Sequence, residues 1–352
     1  MSNPQFSRPF PSRVHRDPWL AINLSMLFPG IGQIYTNHVI KGILLATGQI
    51  VLIAIAINSI FAAQGNTAAG LGLMVLMAGI YIASLFDAYQ CSSITTFIIK
   101  PGSPKLPWFA VLLSRILPGL GHLYLEKSTS GTVFLASAVI VSGFTQIVPQ
   151  LFPIPPLIWA IGCYHAYAVS PQRQQHSKQL LLPIVMSIVV LGLAITYLPG
   201  RIHQSFERFI VPSESMLPTL QVNDQIFVHK FGNYRPQVGD VVVFKAPEAA
   251  INKTDATAET LFVKRVIATP GQMVEVKQGQ ILIEQQVLQE DYQNQPPAYE
   301  WGPKQVPPDA YFVLGDNRNS SADSHVWGFL PKRLLIGKAY KICWPPARVN
   351  PL

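Results

Sequence analysis

Charge is the scarcest thing in this chain. Lys, Arg, Asp and Glu supply 12% of 352 residues, against about 25% in ordinary globular domains, while 49% are hydrophobic. That scarcity argues against an ordinary soluble globular domain and makes a membrane protein the first expectation. Cysteine is nearly absent as well: Cys91, Cys163 and Cys343 are far apart with no CxxC spacing, which argues against a disulfide framework or a metal site. No Gly-x-Ser-x-Gly frame sets a serine beside a histidine base. Acidic residues almost vanish from the first 200 positions, which hold 10 Lys+Arg and 3 Asp+Glu. Subtraction from 26 and 18 leaves 16 and 15 for residues 201–352, so the net charge of +8 belongs to the apolar half. The second half is near neutral, and nucleic acid is not an expected partner.

What is present first is apolar sequence. Five uncharged runs, Gly42–Ala63, Ala68–Phe86, Gly131–Phe152, Ile154–Ser170 and Leu180–Leu198, approach the roughly 20 residues of a bilayer-spanning helix. Buried core helices of a soluble protein are the alternative, but no run has a charged face. Arg8, Arg13, Arg16 and Lys41 flank the first run; Asp87, Lys100, Lys105, Arg115, Glu126 and Lys127 lie between the second and third; Arg173 and Lys178 lie between the fourth and fifth. Because cationic loops stay cytoplasmic, this placement predicts about five spans with the N-terminus cytoplasmic and everything after Pro199 extracytoplasmic. The N-terminus lacks the compact apolar region and cleavage pattern of a signal peptide.

FPGIGQIY (Phe28–Tyr35) and LPGLGHLY (Leu117–Tyr124) share a P-G-x-G-x-x-Y frame 118 − 29 = 89 residues apart, each ahead of two apolar runs. A Pro-Gly break in an apolar segment predicts an interfacial or re-entrant kink. The frame resembles multi-span modules of the TM2 type, which imply no specific function. His38, His122 and His165 read as loop or packing residues. The domains expected are a multi-span region 1–178 with repeats 18–90 and 106–170, an anchor and linker 179–204, and a β-rich domain 205–352.

From Ser205 onward, QIFVHKF, DVVVFKAP, LFVKRVIATPG, MVEVKQGQILIEQQVL and AYFVLGD are short β-branched or aromatic runs between Gly, Pro and Asp turns, so this part is mostly β. Gln289–Pro308, rich in proline, reads as a long surface loop. VPSESMLPTL places two serines around Glu214. A serine needs a base, and a lysine made neutral by burial can be one. Lys264 lies on an apolar strand with Phe262 and Val266 on its face by alternation. Alone it reads better as an ordinary strand lysine at a sheet edge.

VPSESMLPTL, GDVVVFKAP, FVKRVIATPG and GDNRNSSADSHVWG, in this order, resemble the motif boxes of the type I signal peptidases, over about residues 205–345. The resemblance implies a mostly β extracytoplasmic catalytic domain of the Ser-Lys protease type. It puts Ser215 at the nucleophile, Lys264 at the general base, Ser213 beside the Ser215 N–H in the oxyanion hole, and Ser321 as the hydroxyl that orients the base. Asp316, Asn317, Arg318 and Asp323 fall at supporting positions. His325 stands where the family usually carries an arginine paired with the aspartate, and Glu214 where a small residue is common. Phe209, Val211, Met216, Leu220, Phe262 and Val263 are implied as shallow apolar pockets, and core packing explains each of them singly as well. The implied reaction is removal of N-terminal signal peptides after a small-x-small motif, with signal peptides of preproteins and the lipid bilayer as partners and with no cofactor or metal. The first 200 residues leave recruitment of the translocation channel, dimerisation and positioning equally open. Other Ser-Lys proteases lack the GDNRNSSADSHVWG segment; a catalytically silent membrane scaffold is the rival of a different class.

Overall fold

The computed structural model describes residues 16–92, 105–145, 147–171, 176–230, 234–293 and 295–352. Arg8, Arg13, Lys100 and Arg173 of the charge argument lie outside them. The chain divides into one unit made of Met1–Ala54 and Leu73–Pro199, and a second made of Ile55–Gly72 and Gly200–Leu352.

The first unit is helical. Helix α1 (Pro18–Ser25) starts where Asp17 accepts bonds from Trp19 N (2.8 Å) and Leu20 N (3.2 Å), with Pro18 in the first turn. It stops before the Pro29-Gly30 break, and α2 (Ile31–Tyr35) follows, leading into α3 (Val39–Phe61) and α4 (Thr67–Cys91). The second repeat gives α5 (Pro107–Ile116), α6 (Leu120–Tyr124), α7 (Ser128–Phe144) and α8 (Ile154–Ala168), and α9 (Leu181–Ser205) completes the series. The same contacts recur 89 residues apart. Gly30 and Gly119 both have left-handed backbone (φ 101° and 90°), and a Cβ on either would stand 2.1 Å from the carbonyl oxygen of Gly42 or Gly131. Only glycine allows the break to press on the next helix. Tyr35 Oη accepts from Asp17 N (3.2 Å) and Tyr124 Oη from Leu106 N (3.1 Å), closing each loop at its start.

Among the described residues three helices are long and apolar enough to cross a membrane: Val39–Phe61, Thr67–Cys91 and Lys178–His203. The third and fourth apolar runs give α7 and α8, of 17 and 15 residues. At 1.5 Å per residue these reach about 22–26 Å, short of a hydrocarbon core of about 30 Å. Prolines 149, 153, 155 and 156 cut the apolar sequence there. The loop expected to hold Arg115 is in fact helical, and Arg115 occupies the last turn of α5.

The second unit is mainly β. Its strands are β1 (Phe206–Ile210), β2 (Gln225–His229), β3 (Val241–Lys245), β4 (Leu261–Ala268), β5 (Met273–Lys277), β6 (Gln280–Ile283), β7 (Gln286–Val287), β8 (Trp301–Gln305), β9 (Ala310–Leu314), β10 (Leu330–Pro331), β11 (Leu335–Trp344) and β12 (Asn350–Pro351). One sheet runs β1-β2-β11-β3-β4-β9-β10 with β12 on β11; a smaller one runs β7-β6-β5-β8. Gln289–Pro308 is therefore not all loop: β8 lies within it. Pro303 is tolerated there because β8 is an edge strand.

The helical tip 55–72 belongs to this unit. Lys341, on β11 and without exposed surface, donates to the carbonyls of Ser59, Ile60 and Ala62 at 3.0–3.2 Å. Ser59 O and Ile60 O are end-of-helix acceptors that α3 cannot satisfy itself, and Ala62 O also accepts from Gly65 N (3.0 Å). Phe61 stacks on Phe227 beside them, ring centroids 5.9 Å apart.

Candidate active site

The chain leaves β1, passes Val211–Ser213 and tightens into a 3-10 turn at Glu214–Met216 that exposes little of Ser215. This turn is fastened from the far end of the sequence: Asn317 N donates to Ser215 O (3.1 Å) and Asn317 Nδ2 to Glu214 O (3.2 Å). A Cβ on Gly315 would stand 2.3 Å from both Ser215 O and Ser321 Oγ, so that position has no room for a side chain.

Lys264 comes from β4, paired on one side with β3 and on the other with β9. Its side chain has Phe262 beside it, 5.7 Å from Nζ to the ring centroid, and Nζ lies 2.5 Å from Ser215 Oγ. Lys264 is 3% exposed and Ser215 8%. Burial pushes the Lys264 ammonium down to about 8, against the opposing pull of the Asp323 and Asp316 carboxylates. Desolvation wins because a lone ammonium loses its hydration in the interior. Ser213 Oγ is 3.2 Å from Ser215 Oγ.

The third segment supplies the scaffold. Asp323 accepts from Gly315 N (2.9 Å) and His325 N (3.2 Å), and lies 2.6 Å from His325 Nδ1. The His325 ring stacks on Tyr299 at 3.9 Å. Asp316 is held by a two-pronged pair from Arg265 (2.8 and 2.9 Å) and by Thr219 Oγ1 (2.6 Å). Arg318 donates to Gly315 O and, at 2.5 and 2.7 Å, to both oxygens of Glu290. Paired in this way, the buried charges are compensated.

Ser213, Ser215, Lys264, Asp316, Asn317, Arg318, Asp323 and His325 thus converge. Ser321 is close by, yet the hydrogen bond to Lys264 that the resemblance implies is not formed: Ser321 Oγ is buried and makes no hydrogen bond among the described residues. Of the six implied pocket residues, Val211, Met216 and Leu220 are at 0–1% exposure and lie with Val263 in one core cluster. Phe209 packs on that cluster, and Phe262 on a different one. Sequence reading passed over Arg265, Thr219, Glu290, Tyr292 and Tyr299. Arg265 carried a signal, since alternation puts it on the face opposite Lys264 on an otherwise apolar strand. The other four carried none, being single polar residues in turns or in the proline-rich stretch.

A buried amine below its usual range, in contact with a hydroxyl, can accept that hydroxyl's proton. The same part of the chain matches known proteins. The family model described as signal peptidase, peptidase S26, matches residues 179–344. "Signal peptidase I" of Leptolyngbya laminosa is 42% identical over 172 residues, 48% of this chain and 84% of that protein. "Probable signal peptidase I-2" of Synechocystis sp. is 47% identical over 143 residues, 40% of this chain and 64% of that one. "Probable thylakoidal processing peptidase 2, chloroplastic" of Arabidopsis thaliana is 43% identical over 142 residues, 40% of this chain and 38% of that one. With a buried lysine on a serine in a mostly β domain and a signal peptidase I relative 42% identical and matched over 84% of its length, this chain belongs to the type I signal peptidase family.

Proposed function

We propose that the chain is a membrane-bound serine endopeptidase that removes N-terminal signal peptides from exported preproteins, working through Ser215 and Lys264. The observation that carries this reading is the 2.5 Å contact between Lys264 Nζ and Ser215 Oγ in a buried site. Neutral Lys264 takes the Ser215 proton while Oγ bonds to the carbonyl carbon of the scissile peptide. The carbonyl oxygen becomes an oxyanion facing the Ser215 N–H and the Ser213 hydroxyl, donors of the kind whose loss raises a barrier by roughly 2.7–4 kcal/mol. Collapse breaks the C–N bond, and the Lys264 ammonium returns its proton to the leaving amine. Lys264, neutral again, takes a proton from a water whose oxygen attacks the ester carbonyl; collapse breaks the C–Oγ bond, and the Lys264 ammonium returns the proton to Ser215 Oγ. Ser321 Oγ, without a partner in the free site, is the orienting hydroxyl that Lys264 engages once it is charged. Phe209 and Phe262 border the substrate, with Val211, Met216, Leu220 and Val263 as the packed floor below.

We read the N-terminal helices as a multi-pass membrane region, with residues 1–178 as its body, 179–204 as anchor and 205–352 as catalytic domain. Three crossings or five are both odd numbers, so either leaves the catalytic domain on the side opposite the N-terminus, extracytoplasmic if the cationic flanks stay inside. The host membrane is a bacterial plasma membrane or a thylakoid, and the name of the "thylakoidal" relative supports the second. The test is cleavage of a preprotein in detergent by the full chain and by Ser215→Ala and Lys264→Ala. Loss of cleavage in both variants with unchanged protein yield is expected. Near-normal cleavage by either removes the dyad and revives the silent-scaffold reading.

A further inference from the structure

Arg115 is a cation without an anion. Residues 1–199 contain only three carboxylates, Asp17, Asp87 and Glu126. Asp17 caps α1; Asp87 pairs with Lys41 and accepts from Gln33; Glu126 pairs with Lys105 at 3.1 Å. No fourth acid exists in that stretch of sequence, so the helical unit has none left for Arg115. Among the described residues Arg115 forms no ion pair, and its guanidinium makes one hydrogen bond, from Nη1 to Asn23 O at 2.7 Å. Of the five N–H groups in that fork four are left, which fits a two-oxygen acid.

Arg115 lines a cavity of about 430 Å³ within the helical unit. That volume is in the range of a pocket for one small ligand. The rest of its wall is mainly apolar, including Met26, Phe152, Trp159, Ile188 and Ile195. One end is formed by Thr145 and Phe152, where α7 turns into α8. The internal repeat sharpens the point. The residue 89 positions before Arg115 is Met26, on the same cavity, so one copy of the frame contributes an apolar side chain where the other contributes a guanidinium. Packing alone is served by methionine. A charge among membrane helices is costly and marks a site when its partner comes from outside.

We propose that this cavity binds an anionic membrane lipid, with the acid oxygens of its head group on Arg115 and one acyl chain along the Met26, Ile188 and Ile195 wall. The cavity is amphiphilic in the same sense as the ligand, and the missing carboxylate is the charge complement that selects it.

The test is native mass spectrometry of the full chain in detergent after addition of phosphatidylglycerol or phosphatidylcholine, with inorganic phosphate as a third arm. Wild type is expected to retain phosphatidylglycerol over phosphatidylcholine by about fivefold, the weight of one arginine on an acidic lipid. Arg115→Met, which installs the first repeat's residue, is expected to lose that preference. Arg115→Lys keeps part of it, because the charge remains while the two-pronged geometry goes. Thr196→Phe leaves Arg115 in place, fills the cavity and is expected to lower retention of both lipids, which covers the case in which Arg115→Met does not fold. Equal retention of the two lipids by wild type, unchanged preference in Arg115→Met, or displacement of bound lipid by phosphate alone each overturns the proposal and leaves Arg115 as a cap on α1.

Discussion

Two lysines of the β-rich unit, Lys264 on β4 and Lys341 on β11, are both buried, and their surroundings make them opposites. Burial lowers both ammonium groups from their usual range. Lys341 meets three carbonyls, one for each N–H of an ammonium; a neutral amine has two N–H groups and would leave one carbonyl unanswered. Lys264 meets one hydroxyl, which can give as well as accept a proton. Depth therefore does not make a base. The number and type of acceptors decide whether a buried amine is held charged or released to work.

The largest effect expected from this contrast is kinetic. Lys264→Met should lower kcat/KM on a signal-peptide substrate by roughly 10³-fold or more, combining loss of the base and of the activated nucleophile. Lys341→Met should leave turnover of a soluble peptide near normal; equal losses in the two variants, measured by product formation, would erase the distinction. Next comes Arg265→Met, which leaves Asp316, one of the two carboxylates that oppose the fall of the Lys264 pKa, with Thr219 but without its ion pair. Breaking a buried pair from one side costs about 3–5 kcal/mol, read as a lower denaturation midpoint; no change would mean that Asp316 is solvated.

The pH profile is smaller and more specific. With Lys264 pushed down to about 8, kcat/KM should rise with pH, by about fiftyfold between pH 6 and pH 8, as the amine fraction grows. The same shift fixes the sign for stability. The folded state binds fewer protons than the unfolded chain between about 8 and the usual lysine value of about 10.4, so this group's contribution to stability rises with pH across that window. An activity profile that is flat from pH 6 to pH 9 would contradict a lysine base.

Lys341→Met should then cost about 1–3 kcal/mol, chiefly through the carbonyls of Ser59 and Ile60, since Ala62 O keeps its bond from Gly65 N, with faster amide exchange around Ser59–Ala62 as the local sign. Smallest is His325→Arg, which restores the family's usual residue beside Asp323. A change within about 0.5 kcal/mol is expected from thermal melts, since the Asp323 contact is kept while the Tyr299 stack is exchanged for another planar cation.

The sequence made the candidate site legible because each box is local: Ser213 and Ser215 sit in one turn, and Asp316 to His325 in one loop. Alternation also placed Lys264 among apolar neighbours. What stayed hidden was contact across the chain. Glu290, Tyr292 and Tyr299 lie in a proline-rich stretch with no periodicity, and they matter only because Arg318, Arg265 and His325 reach them. Helix lengths were partly hidden too. Apolar composition continued through prolines 149 and 153, where the backbone could not, and Arg115 looked like a loop charge because it stands next to the Pro118-Gly119 break.

That break has a consequence for the order in which the chain assembles. Gly30 closes on Gly42 and Gly119 on Gly131, each across twelve residues, and each tyrosine bond closes across eighteen. Such short-range closure costs little loop entropy and forms early. The β sheet is the reverse, since β2 must wait for β11, with Gln225 opposite Trp344. Each helical repeat can lock as it leaves the ribosome, whereas the serine and lysine of the site come to rest in a finished sheet only when nearly the whole chain has been made.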